Sequence, residues 1–167
     1  LEQNTTADNN SAFGFYALAT NTTGTRNTGV GRQALGANTT ADDNTALGYY
    51  AMYANTTGSK NTSVGAYALD ANTGGIQNDA FGYTCMTAST TGNYNAAFGS
   101  LAAVSLNGGN RNTFCGNSAG SGLTTGSDNT FLGYKAGNST TTSSNNVAIG
   151  KEALYQNSTG SENIAIG

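Results

Sequence analysis

The chain has 167 residues, of which 9% are charged and 24 are Gly, and it contains no His, Trp or Pro. Ordinary globular chains carry about 25% charged residues, so Asn, Thr, Ser, Ala and Gly must supply a mostly neutral surface. A net charge of −3 and six scattered basic residues, Arg26, Arg32, Lys60, Arg111, Lys135 and Lys151, exclude the basic patch that a grip on nucleic acid requires, and no run approaches the ~20 apolar residues of a membrane-spanning helix.

Taken in chain order, the sequence is one motif repeated. An Asn recurs at Asn10, Asn27, Asn44, Asn61, Asn78, Asn95, Asn112, Asn129, Asn146 and Asn163, always 17 residues apart. Four residues after each comes a Gly: Gly14, Gly31, Gly48, Gly65, Gly82, Gly99, Gly116, Gly133, Gly150 and Gly167. Written from its Asn, the unit reads approximately N-T-A-h-G-Y-x-A-L-x-x-N-T-T-G-x-x, where h is apolar. The h column runs Phe13, Val30, Leu47, Val64, Phe81, Phe98, Cys115, Leu132, Ile149, Ile166. A second column is nearly all Ala, from Ala17 to Ala153, with Cys85 in the middle. The next holds Leu18, Leu35, Met52, Leu69, Met86 and Leu154 but shrinks to Ala103, Gly120 and Gly137. Apolar residues in fixed columns argue against a solvated linker.

Seventeen residues are too few for a helical hairpin repeat, which needs about 33 or more, and the Gly, Asn and Thr content disfavours helix. The Asn-Thr-Ala-h-Gly stretch alternates like a strand, with its second and fourth residues on one face, and the h, Ala and Leu columns are expected inside. Asn-Thr-Thr-Gly is turn chemistry. Two short strands and two turns per unit predict one coil of a parallel β-solenoid. Residues 1–167 therefore read as a single all-β tandem-repeat domain of ten coils, uncapped at both ends. Rungs ~4.8 Å apart would make a rod on the order of 45 Å long. The chain opens at Leu1 with no visible signal peptide, which reads as an excerpt, a processed product or the ordered part of something longer.

In such a stack the Asn column can form a ladder, each side-chain amide donating to the carbonyl oxygen of its neighbour. The ten Asn and ten Gly are accordingly structural candidates. Several units add an aromatic just past the Gly, namely Phe15, Tyr16, Tyr49, Tyr50, Tyr67, Tyr83 and Tyr134, while Phe114 and Phe131 stand where other units have Ala, on the face opposite h. Aromatics on both faces of a thin coil predict contact with another chain. Partners are therefore copies of the chain itself, either side by side or head to tail.

Catalysis is not expected. Without His, a Ser or Cys nucleophile lacks its usual base, and the adjacent Asp42 and Asp43 diverge rather than pair. No metal or cofactor is expected. Cys85 and Cys115 fall in different columns two units apart, ~9–10 Å, beyond the ~7 Å that a disulfide can bridge; both read as small core residues. The N-T-T-G turn aligns sequons at Asn4, Asn21, Asn38, Asn55 and Asn157, with others at Asn9, Asn61 and Asn138. Glycans there would form a row along the rod, although Asn61 belongs to the inner Asn column. Aligned Thr rows also raise an ice-binding reading, against which adjacent Thr residues of an extended strand face opposite sides.

The pattern N-x-A-I-G, seen in Asn146-Val147-Ala148-Ile149-Gly150 and Asn163-Ile164-Ala165-Ile166-Gly167, resembles the repeat of YadA-type head domains of trimeric autotransporter adhesins and of related tail-fibre proteins. The resemblance covers all ten units and implies a left-handed β-roll, three chains packed in parallel, and attachment to a host or cell-surface receptor from a cell or virion surface. The unit here departs from it by the added N-T-T-G turn. The expectation is an extracellular structural or adhesive fibre segment that self-associates; the alternatives are a head-to-tail filament subunit that carries glycans, and an ice-binding solenoid.

Overall fold

The structure, a computed structural model, describes residues 1–167. It is an all-β parallel solenoid. Each unit contributes one three-residue strand: β1 (Ser11–Phe13), β2 (Thr28–Val30), β3 (Thr45–Leu47), β4 (Thr62–Val64), β5 (Asp79–Phe81), β6 (Ala96–Phe98), β7 (Thr113–Cys115), β8 (Thr130–Leu132), β9 (Val147–Ile149) and β10 (Ile164–Ile166). The ten pair in sequence order into one parallel sheet. Register never slips: Ser11 faces Thr28 and Phe13 faces Val30 at one end, and Val147 faces Ile164 at the other.

Two strands per unit were expected, and only one forms. The Ala-Leu leg instead places two residues per coil in the left-handed region, as at Tyr16 (φ 55°) and Leu18 (φ 49°), or Tyr50 (φ 55°) and Met52 (φ 52°), where a strand would need φ near −120°. For non-glycine residues this conformation costs about 1 kcal/mol or more each. Rung-to-rung bonds offset it: the Leu18 N–H donates to Ala34 O at 3.1 Å and the Gln33 N–H to Phe15 O at 2.8 Å. The Gly that ends each strand has no substitute. At Gly14 φ is +134° and a Cβ would lie 2.6 Å from the Gly31 carbonyl oxygen of the next coil.

The orientation of the strands corrects the expected core. The h residues point outward: Phe13 is 78% exposed, Leu47 47% and Phe98 43%. The small residue before each points in, and Ala46, Ala80, Ala97 and Ala148 are fully buried. The reason is the Leu column on the opposite leg, which fills the coil up to the sheet; a Cβ built on Gly29 would already sit 3.4 Å from Leu18 Cγ. Phe114 and Phe131, expected on an outer face, are fully buried. The cysteines part as well, since Cys85 is in the core but Cys115 lies on the outside.

Candidate functional site

The ten Asn of the repeat lie along the inner edge of the sheet, eight of them buried and Asn10 and Asn163 at the ends partly so. Asn61 is typical. Its Nδ2 donates to Asn44 Oδ1 at 3.2 Å and to Gly75 O at 2.8 Å, and its backbone N–H also reaches Asn44 Oδ1, at 3.0 Å. The same contacts link neighbouring coils up to Asn163 and Asn146. Between Asn10, Asn27 and Asn44 only the backbone N–H makes the link.

A second ladder, missed in the sequence, is made by the sequon column. Asn38 Nδ2 donates to Asn21 Oδ1 (2.7 Å), Asn55 to Asn38 (2.9 Å) and Asn72 to Asn55 (2.7 Å). The two ladders converge on one row of carbonyls: Gly58 O accepts Asn44 Nδ2 and Asn55 Nδ2, both at 2.9 Å. This corrects the glycan row. Asn21, Asn38 and Asn55 are fully buried and their Nδ2 atoms, the ones a glycan would modify, are engaged. Asn4 is exposed and Asn157 half-buried, each still bonding its own turn through Ala7 O and Gly160 O.

Other polar columns are committed to stacking too. Asp42 Oδ1 accepts the Thr25 N–H (2.6 Å) and hydroxyl (3.0 Å), while Asp43 forms a two-point ion pair with Arg26 (2.5 and 3.0 Å). Arg111 repeats that pair with Asp128. Hydrogen bonding to the guanidinium holds the Asp43 and Asp128 carboxyls below the usual carboxylate range. The first Thr of each N-T-T-G turn donates to the next coil, as Thr22 does to Thr39 O at 3.0 Å and Thr39 to Thr56 O at 3.2 Å. In the turns at Asn21, Asn38 and Asn55 the first Thr is half-buried and the second, Thr23, Thr40 or Thr57, is exposed. No group of three or more Cys, Asp and Glu side chains comes together.

Two surfaces gather exposed apolar side chains from several coils. The outer face of the sheet carries the h column beside a column of mostly Thr, including Thr28, Thr45, Thr62, Thr113 and Thr130; within it the Phe81 and Phe98 rings stack at 4.9 Å. The corner after the Gly carries the aromatics of the early coils. Tyr49 lies 4.6 Å from Tyr50 and 5.3 Å from Tyr67, Tyr50 lies 5.0 Å from Tyr53, and the Arg32 guanidinium sits 5.5 Å from the Phe15 ring and 5.9 Å from that of Tyr49. The sequence marks this corner through its Tyr residues, but not their gathering into one patch.

Comparison with protein-family models, with curated proteins and with solved structures found no match for the chain.

Proposed function

We propose that the chain is a segment of an extracellular structural or adhesive fibre, and that it associates laterally with copies of itself through the outer face of its sheet. One observation carries this reading: the h column forms an apolar stripe on that face, exposed at Phe13, Leu47, Phe98, Ile149 and Ile166 and half-exposed at Val30, Val64, Phe81 and Leu132 between them. Soluble monomers rarely show contiguous apolar patches beyond a few hundred Å², and burying such area stabilises by about 25 cal/mol per Å². Because every coil repeats the same spacing, two copies aligned side by side match rung for rung. The resemblance to adhesin heads suggests three chains about one axis. The interior supports a scaffold role, since nearly all its polar groups are spent on stacking one coil on the next.

The test is the mass per unit length of the native particle, measured by electron microscopy, for the wild type and for a Leu47→Lys/Phe98→Lys variant. Several chains per ~45 Å of rod, falling to one in the variant, is the expected result. A single chain per that length in an unbroken thread replaces lateral association with head-to-tail stacking. A monomer at all concentrations removes the self-association reading.

A further inference from the structure

The aromatic corner contains a cleft of ≈ 270 Å³ whose lining includes Tyr16 and Tyr53, with Gln3, Gln33 and Glu2 around them and Gly36 between. It exists because one coil lacks a side chain there. A Cβ on Gly36 would lie 3.0 Å from Tyr53 Cδ2 and 3.1 Å from Cε2, so the Tyr53 ring rests directly on backbone. Tyr16 and Tyr53 come from coils two repeats apart and are 45% and 37% exposed. Beyond Tyr53 the aromatic surface continues, through Tyr50 at 5.0 Å and from there to Tyr49 and Tyr67.

We infer that this cleft binds a neutral, pyranose-containing glycan chain lying along the rod. A pyranose has one face of C–H groups, which packs on aromatic rings, and a rim of hydroxyls that both donate and accept. Two tyrosines meet the first need. Two carboxamides and a carboxylate meet the second, because an amide offers both donors and an acceptor in one plane. The cleft falls just under the ~300–1,000 Å³ of pockets for drug-sized ligands, a size suited to one or two sugar rings. The charge of the lining selects further: Glu2 is its one acidic side chain and no Lys or Arg lines it, so an anionic sugar seated in the cleft meets repulsion. Tyr49, exposed beside Tyr50, adds aromatic surface for a further sugar, which favours a chain over a monosaccharide.

This inference rests on the attachment half of the function proposed above and uses no residue of the outer sheet face, so its fate is separable from that of self-association. The experiment is affinity electrophoresis of the native protein in gels containing hydroxyethylcellulose, xylan, galactomannan or glycogen, with hyaluronan as the anionic control. Retardation by at least one neutral polysaccharide and none by hyaluronan is expected. Tyr16→Ala and Tyr53→Ala should each weaken the retarding interaction tenfold or more, whereas Tyr134→Ala, on a distant coil, leaves it intact. Gln33→Ala removes only a surface amide and should weaken it several-fold, which decides the matter if a tyrosine variant misfolds. No retardation in any neutral gel, retardation by hyaluronan alone, or retardation that survives both the tyrosine and the Gln33 changes overturns the inference. Sedimentation of the same samples reads self-association independently.

Discussion

The Phe114 ring occupies the space that a side chain at Gly120 would need. A Cβ on Gly120 would fall 2.5 Å from Phe114 Cδ1, and in the next coil a Cβ on Gly137 would fall 2.5 Å from Phe131 Cδ2. In the earlier coils the sizes are reversed, with Ala46 opposite Met52 and Ala80 opposite Met86, all fully buried. These coils thus keep one large side chain while exchanging which leg supplies it, and the two rings meet edge to face at 5.9 Å. The backbone permits the exchange, because Gly120 (φ 61°) and Met52 (φ 52°) share the left-handed conformation.

That exchange makes the pair non-additive. Phe114→Ala should cost about 3–5 kcal/mol through the cavity it leaves. Gly120→Leu should cost about 1–3 kcal/mol or more through overpacking. The double variant regains the composition of the earlier coils, so urea titration should show it more stable than the sum of the two by about 1–3 kcal/mol.

Position along the ladder should set the cost of losing an Asn. Asn61→Ala strands the Asn78 N–H, which donates to Asn61 Oδ1 at 2.9 Å, and removes a donor from Gly75 O. A loss of about 2–3 kcal/mol is expected by thermal or urea unfolding. Asn163→Ala, where the column is only partly buried, should cost less than half as much.

The cysteines should differ in reactivity. Burial pushes the Cys85 thiol up to about 12, so almost none of it is thiolate at pH 8. Cys115 is exposed in the outer stripe. A thiol-disulfide reagent should therefore titrate one thiol in the folded single chain and two in denaturant. Lateral association through the stripe should slow the first.

Acid should affect the carboxylates in opposite senses. Burial raises the Asp70 carboxyl, and its Oδ1 has no hydrogen-bond partner. The folded state then holds that proton more tightly than the unfolded state, so stability is gained as pH falls through the raised value and the charged form is unfavourable above it. Asp43 and Asp128 are lowered, so their contribution is present at neutral pH and lost as pH falls through their folded values. Asp70→Asn should raise Tm at pH 7, by only about 1–3 °C because the group is half-exposed, and the difference should vanish below about pH 4.

Modification should respect the inner ladder. In protein secreted from glycosylating cells, peptide mass spectrometry should find Asn21, Asn38 and Asn55 bare in the folded fraction. A glycan on any of the three should mark chains that fail to fold.

Much of the architecture was legible because a stack needs a fixed coil length: the unvarying step between Asn10 and Asn163 specifies one coil per unit and a parallel register. Alternation correctly placed the Thr and h residues on a common face. Size then misled the choice of which face lies inward, since Phe13, Leu47 and Phe98 look like core residues. The corrective signal was in the sequence, in the rise of Ala to Phe at Phe114 and Phe131 where Leu falls to Gly at Gly120 and Gly137. Two positions that trade volume must share one interior. The second strand failed to form because the Ala-Leu leg turns through left-handed residues such as Tyr16 and Leu18, which carry no distinctive residue type. The second Asn ladder was hidden because Asn-Thr-Thr-Gly already has a complete explanation as a turn.

The convergence of both Asn ladders on a single row of carbonyls has a mechanical consequence. The bonds from coil to coil run along the rod, so tension on its ends pulls directly against them, and the bonds of one junction must give way together. Junctions with both ladders, such as Asn55 to Asn72 beside Asn44 to Asn61, have more side-chain bonds than those around Leu106 and Leu123, where the second ladder is replaced by apolar side chains bordered by the unpartnered hydroxyls of Ser89 and Thr140. Resistance to axial load is therefore uneven along the rod, set junction by junction by how many side-chain amides cross it.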